Sequence, residues 1–164
     1  MPHYDSLPSH HPGLGEAALK GALAAVAGGL VMKAVWQAGE RALPPAERFG
    51  SPTRGAVDAL ARRRGAEWSD TQRTAATAAL FTGAMAAWGA VYGALQSRLH
   101  PPFLAHGLLL GGLVYAANFS RAAGLTKAGV VPAFGDQTPR QRALPLGAHA
   151  AFGLATAAAY EALA

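Results

Sequence analysis

Charged residues are absent from three long stretches of this 164-residue chain, and this absence constrains the fold more than any other feature. The stretches are Thr74 to Ser97, Leu99 to Ser120 and Ala143 to Tyr160, with 24, 22 and 18 residues. A helix needs about 20 mostly apolar residues to cross the hydrocarbon core of a bilayer. Because backbone groups in lipid must hydrogen-bond within their own segment, each stretch is expected to be an α-helix.

A fourth apolar stretch lies near the start of the chain. Gly21 to Met32 carries no charge, Lys33 interrupts it, and the uncharged sequence resumes as far as Gly39. The chain is therefore predicted to be all-α, an integral membrane bundle of four transmembrane helices in a single domain, 1–164. The predicted segments are spans near 19–39, 74–96, 102–121 and 143–162, after a flexible N-terminal arm at 1–15.

A soluble four-helix bundle is the alternative to this interpretation. A helix on the surface of a soluble protein keeps a polar face opposite its apolar stripe. Residues 75–95 offer only two threonines and one tyrosine for such a face. The membrane interpretation is therefore favoured.

The basic residues predict the orientation in the membrane, since cytoplasmic loops are enriched in Lys and Arg. The loops at 40–73 and 121–142 hold eleven basic residues, whereas the opposite side holds Lys20 and Arg98. We therefore expect both large loops in the cytoplasm and both termini outside. Topology accounts for the positive charge, so membrane lipids are expected partners and nucleic acid is not.

The first large loop contains a short amphipathic helix in this prediction, at about 52–64. Ser51 and Pro52 have the pattern of a helix start, and Gly65 is typical of a helix end. The arginines near its end would meet anionic headgroups of the inner leaflet. A solvated basic turn is the alternative. Ser69 and Gln72 have the spacing of a capping box that would begin the second span.

Small residues at four-residue spacing predict where the helices pack, because helices in lipid associate through close backbone approach. Such pairs occur at Gly89 and Gly93 and at Gly107 and Gly111. Two further rows have the same spacing: Gly21, Ala25 and Gly29 in the first span, and Gly147, Ala151, Ala155 and Ala159 in the fourth. The pattern indicates a compact bundle, with one seam left for a second copy or another membrane protein.

Ionisable and polar residues inside spans are costly and are functional candidates by default. By their depth in the spans they form two clusters. The candidate inner cluster is Lys33, Glu40, Asn118 and His149, and the candidate outer cluster is His100, His106 and Glu161. For each cluster the structural alternative is a snorkelling lysine or a histidine bonded to a neighbouring carbonyl.

Cofactor and enzyme chemistry have little support in the sequence. With no cysteine, thiolate metal sites and disulfides are excluded. His106 and His149 lie at different depths and cannot ligate one haem, and the histidines of the outer cluster match no recognised metal spacing. No hydrolase, nucleotide-binding or metalloprotease motif is present. We therefore predict a non-enzymatic protein with no assigned cofactor.

Parts of the chain resemble the YagU-like (DUF1440) family of bacterial inner-membrane proteins. The resemblance covers the first span and residues 103–161. It is carried by Val31–Trp36, Glu40, Pro44-Pro45, Gly107–Leu113, Gly124–Thr126, Val131–Phe134, Gly147–His149 and Glu161. The chain departs from the family pattern at Ala46, Asn118 and Lys127-Ala128, near which the family has an arginine, a histidine and a proline pair. The resemblance implies a multi-span inner-membrane protein with a link to acid tolerance, and it implies no reaction.

Three functions remain open at this point. The first is an accessory, scaffold or stress-related membrane protein without enzymatic activity. The second is transport or proton relay through Lys33, Glu40 and His149, which requires a hydrated path that reaches His149. The third is an accessory subunit that holds a lipid-soluble cofactor such as a quinone or pigment, whose absorbance would be found in the purified protein.

Overall fold

The computed structural model describes residues 13–99 and 102–163, and this part of the chain is helical without any strand. Four helices are long and two are short. The helices are α1 (Leu14–Ala42), α2 (Pro52–Arg63), α3 (Asp70–Gln96), α4 (Phe103–Phe119), α5 (Gly124–Lys127) and α6 (Pro139–Ala162). Residues 1–12 of the predicted arm and His100 lie outside the described residues, while Leu14 and Gly15 already belong to α1.

Three segments are long and apolar enough to cross a membrane. They are Leu14–Ala42, Asp70–Gln96 and Phe103–Lys127. The helix at the predicted fourth span, α6, is 24 residues long but is not among them. Its uncharged part contains Pro145, His149 and Tyr160, whose low hydropathy offsets that of the alanines and leucines.

Hydrogen bonds at the helix starts explain why α2, α3 and α6 begin where they do. The Ser51 hydroxyl accepts from the backbone of Arg54 at the start of α2. Complete capping boxes begin α3, at Ser69 with Gln72, and α6, at Thr138 with its Gln partner three residues on. Each box satisfies two backbone N–H groups that have no partner within the helix. Gly65 has a φ of 61°, a conformation that suits glycine and ends the turn after α2.

The long helices pack antiparallel, with α1 between α3 and α6, and α6 between α1 and α4. Along α1, Gly28 lies against Phe152 and Gly39 lies against Leu144, so α1 and α6 run in opposite directions. Against α3, Gly21 meets Gly89, and Gly29 lies further along α1 beside Met85. Because α6 extends beside both α1 and α4, all four long helices share one core.

Glycine allows the closest approaches between these helices. A Cβ at Gly89 would collide with the Gly21 carbonyl oxygen, and a Cβ at Gly93 would collide with that of Ala17. Gly111 makes an equally close approach to the His149 carbonyl. At Gly107 the contact is looser, because a Cβ would lie 3.1 Å from the carbonyl oxygen of Gly153.

The packing face expected on α6 was wrong. A Cβ at Gly147 would have no heavy atom within 4 Å in the described structure, and Ala151, Ala155 and Ala159 are only partly buried. The buried face instead carries Ala148, Phe152, Gly153, Thr156 and Ala157. In a helix so rich in alanine, four-residue spacing occurs on several faces, so spacing alone does not identify the packed one.

Both basic loops lie at the same end of the helices. A Cβ at Gly55 in α2 would be 2.6 Å from Val130, which follows α5. The Thr138 hydroxyl donates to the Glu47 carboxylate at 3.3 Å, and Gln141 donates to the Glu47 carbonyl at 3.1 Å. The two loops therefore form one surface, here called the basic end.

A candidate binding cavity at the basic end

A cavity of about 990 Å³ opens between α1, α3 and the end of α4, above the basic end. Its volume is at the upper limit of ordinary small-molecule pockets. All four residues of the candidate inner cluster line it: Lys33, Glu40, Asn118 and His149. A smaller cavity of about 380 Å³ shares Leu80, Asn118 and Leu125 with it and extends toward α2 and α5.

The walls of the large cavity change character along its length. The part nearer the middle of the helices is lined by apolar side chains, among them Leu30, Phe81, Met85 and Trp88. The part nearer the basic end is lined by polar and charged side chains, among them Gln37, Arg41, Arg54, Thr74 and Thr77. The cavity therefore has an apolar part and a polar part, an arrangement that suits an amphipathic molecule.

Lys33 and Glu40 both line the cavity, but no ion pair joins them in the structure. The Glu40 carboxylate accepts from the backbone N–H of Phe49 at 2.8 Å and of Gly50 at 3.2 Å. Within the described part of the chain, Lys33 has no ion pair. Its side chain is exposed at the cavity.

The loop after α1 is bound to that helix by two side chains one turn apart. The Trp36 indole donates to the Gly50 carbonyl at 3.0 Å, while Glu40 accepts from the Gly50 N–H. The Trp36 ring also lies 5.6 Å from that of Phe49 and 6.3 Å from that of Phe119. Gly50 has a φ of 69°, which suits glycine at this point. Glu40 thus has a structural role, because it positions the loop that forms the cavity wall at the basic end.

His149 meets Asn118 at the inner end of the cavity. His149 Nδ1 is 2.7 Å from the Pro145 carbonyl, which can only accept, so Nδ1 carries the proton. In the neutral ring Nε2 is then an acceptor, and Asn118 Nδ2 lies 3.5 Å from it. Asn118 also donates to the Val114 carbonyl at 2.9 Å. His149 is only 4 % exposed, with aromatic rings on two sides.

An apolar layer separates the inner cluster from the outer one. Val114 and Phe152 are fully buried at the levels between Asn118 and His106, and Leu110 is 5 % exposed. None of these side chains can carry a proton. The structure therefore contains no continuous chain of titratable side chains along the α4–α6 interface.

In the candidate outer cluster, the structure brings His106 and Glu161 together. His106 Nε2 lies 3.8 Å from a Glu161 carboxylate oxygen, and Nδ1 lies 2.6 Å from the Tyr92 hydroxyl. Gln96 donates to that hydroxyl at 3.3 Å, which leaves the phenol proton for His106. His106 is 6 % exposed and Glu161 is 58 % exposed, so the cluster reaches from the helix core to the surface.

Tyr92 and Trp36 are the residues that sequence reasoning missed. Tyr92 and Gln96 are polar residues four positions apart on an otherwise apolar stretch of helix, and this spacing could have indicated a polar contact with His106. The sequence indicates Trp36 only through the family resemblance, because its bond to Gly50 depends on the path of the loop. In the residues that the structure describes, no group of three metal-ligating side chains is present.

No family model matches the chain, and neither a curated protein nor a solved structure matches it significantly.

Proposed function

We propose that this chain is an accessory protein of the bacterial inner membrane that holds a lipid-soluble molecule in the amphipathic cavity. The observation that carries the proposal is the cavity itself, which extends from an apolar part near the middle of the helices to Lys33, Asn118 and His149. The cavity is an open groove between the helices, and lining residues such as Leu30, Lys33 and Leu80 are exposed, so a molecule from the surrounding bilayer can reach it. The role is binding, and no reaction is assigned to it.

Proton relay is the less favoured function. It needs titratable groups or water across the whole membrane, and the buried layer of Leu110, Val114 and Phe152 interrupts such a path. The Glu40 carboxylate is also engaged with two backbone N–H groups, so it is poorly placed to exchange protons with Lys33.

The proposal includes four membrane spans, with α6 as the fourth. The antiparallel packing of α6 on α1 and α4 supports this, because a helix in that position runs beside two helices that are apolar enough to span a membrane. The concentration of eleven basic residues at one end supports a cytoplasmic basic end and external termini. The resemblance to YagU-like proteins agrees with this topology.

Reporter fusions at the C-terminus test the topology. A periplasmic phosphatase fused there should be active and a cytoplasmic fluorescent protein should be dark. Fusions in the loop after Arg121 should give the opposite pattern. If the fusions at the C-terminus and after Arg121 were both fluorescent, the four-span arrangement would be contradicted, whereas a reversal of both patterns would contradict the orientation.

Mass spectrometry of the protein purified in mild detergent tests the binding function. We expect a retained lipid-soluble molecule that is lost on Ala84→Trp, which fills the cavity from α3. Ala87→Trp is the matched control, because Ala87 is on the same helix, is exposed and does not line the cavity. Equal retention in both variants, or no retained molecule in the wild type, would refute the proposal.

A further inference from the structure

The two ends of the cavity indicate which class of molecule it holds. Building on the function proposed above, we propose that the occupant is a membrane phospholipid with an anionic headgroup. Its phosphate lies beside Lys33 and Arg41, and an acyl chain lies along Phe81 and Met85.

The cationic end is formed by one row of side chains on α1. Lys33, Gln37 and Arg41 are four residues apart, a spacing that places them on one side of a helix, and all three line the cavity. Lys33 and Arg41 have no ion pair with any residue in 13–99 or 102–163. The row therefore presents the Gln37 amide and two positive charges that no ion pair in the described residues neutralises.

The other charged groups at the cavity compensate this positive charge only in part. Arg54 forms ion pairs with Asp70 at 3.1 Å and with Asp58 at 3.6 Å, and Asp58 also pairs with Arg73. The Glu40 carboxylate lines the same cavity, and the neutral backbone N–H groups that bond to it do not cancel its charge. The two cations therefore face one carboxylate, and the remaining positive charge favours an anion beside Lys33 and Arg41.

The depth of the two cations fits a phosphate at the inner interface of the bilayer. Arg41 is next to the last residue of α1, and Lys33 is about 12 Å further along the axis at 1.5 Å per residue. The flexible stem of Lys33 lets its ammonium extend back toward Arg41 and the interface. Both cations can thus reach one lipid phosphate.

The apolar end provides the place for an acyl chain. Phe81 and Met85 lie beside Gly29, one turn beyond Lys33 in the direction of the membrane centre. Leu30 and Leu80, at the cavity wall, are 61 % and 46 % exposed. The cavity is therefore open toward the surrounding lipid at this level.

The arrangement of α3 and α4 gives the lipid a way in. These helices meet where Tyr92 bonds to His106, and no extensive packing joins the rest of their described lengths. A chain can therefore enter sideways from the bilayer. A soluble phosphate would make no use of the apolar wall, so the membrane lipid is the better match.

Native mass spectrometry with defined lipids tests this inference. The full chain in neutral detergent is mixed with phosphatidylglycerol or phosphatidylcholine of identical acyl chains. We expect one phosphatidylglycerol to be retained in preference. The double variant Lys33→Gln/Arg41→Gln should lower that retention by roughly 25-fold, because each basic residue contributes about fivefold in affinity for an anionic surface. Ala84→Trp should abolish retention.

The matched control is Arg62→Gln/Arg64→Gln, which removes the same charge at the basic end from exposed residues that line neither cavity. It should retain phosphatidylglycerol as the wild type does. Equal loss in both double variants would overturn the inference, because it would indicate general attraction to the charged surface. Displacement by excess soluble glycerol 3-phosphate would also overturn it, in favour of a free phosphate ligand.

The remaining outcomes separate this inference from the function on which it rests. One outcome is that both lipids are retained equally, and that retention is lost in Ala84→Trp but not in Lys33→Gln/Arg41→Gln. This would overturn the preference for an anionic headgroup and leave the proposed binding function intact. If Ala84→Trp affected neither these lipids nor any co-purified molecule, both proposals would be overturned.

Discussion

The carboxylate of Glu40 accepts a hydrogen bond of 2.8 Å from the backbone N–H of Phe49, nine residues further along the chain. A second bond, from Gly50, occupies the other carboxylate oxygen. Hydrogen bonds to a charged group are about twice as strong as those between neutral groups. This pair of bonds therefore holds the loop against the end of α1 and fixes the cavity wall at the basic end.

Glu40→Ala should destabilise the protein by about 1–2 kcal/mol, because it leaves the partly buried N–H of Phe49 without an acceptor and removes the exposed bond from Gly50. Glu40→Gln should cost less, since its amide oxygen can still accept one bond. Lys33→Met should add to either change within about 0.5 kcal/mol, as is usual for residues that do not interact. Thermal unfolding in detergent measures all three, and strong non-additivity would mean that Lys33 and Glu40 interact after all.

Gly111→Leu should destabilise the helix packing by about 2 kcal/mol or more, since the side chain would force α4 away from the His149 carbonyl. Gly112→Leu is the matched control in the next position, where a Cβ meets no heavy atom within 4 Å in the described structure. On α3, Gly89→Leu and Gly83→Leu form a second pair with the same contrast. Melting temperatures in detergent should fall in the first member of each pair alone. Similar values within a pair would mean that these faces do not pack as the structure has them.

Asn118→Leu and His149→Phe should be non-additive in stability, by about 0.5–1 kcal/mol, because Asn118 Nδ2 lies 3.5 Å from His149 Nε2. Each single change leaves the other polar group in a largely apolar environment, whereas the double change removes both. The measurement is a double-mutant cycle by thermal unfolding. Asn118→Leu with Lys33→Met serves as the control cycle, for which we expect additivity.

The all-helical class and the positions of the long helices along the chain were predictable from the sequence, because they depend on local signals. Gaps in charge predict the long apolar helices, and the capping pattern at Ser69 predicts where α3 begins. Hydropathy alone does not single out α6 as a span, because Pro145 and His149 lower it.

The contacts of the cavity were less predictable, because they depend on how distant segments meet. Spacing places Lys33 and Glu40 on one face of α1. It does not show that the Glu40 carboxylate accepts from backbone N–H groups of the loop and forms no ion pair with Lys33. The placement of Asn118 and His149 at one level follows from simple counting along antiparallel helices. That they come within 3.5 Å of each other depends also on the rotation of α6, which alanine spacing does not define.

Tyr92→Phe should destabilise the protein by about 1–3 kcal/mol, because it leaves His106 Nδ1 buried without its partner at 2.6 Å. The loss should be larger than for Tyr160→Phe, since the Tyr160 hydroxyl is partly exposed and its bond to the Gly93 carbonyl is 3.4 Å long. Both variants keep the ring that packs between the helices, so the difference reports the hydroxyl groups. Thermal unfolding of the two variants in the same detergent makes the comparison.

Since Tyr92 joins α3 to α4 at the end opposite the cavity, Tyr92→Phe should leave phosphatidylglycerol retention unchanged. An equal loss of stability in the two variants would show that the Tyr92–His106 bond contributes no more than a surface hydroxyl does.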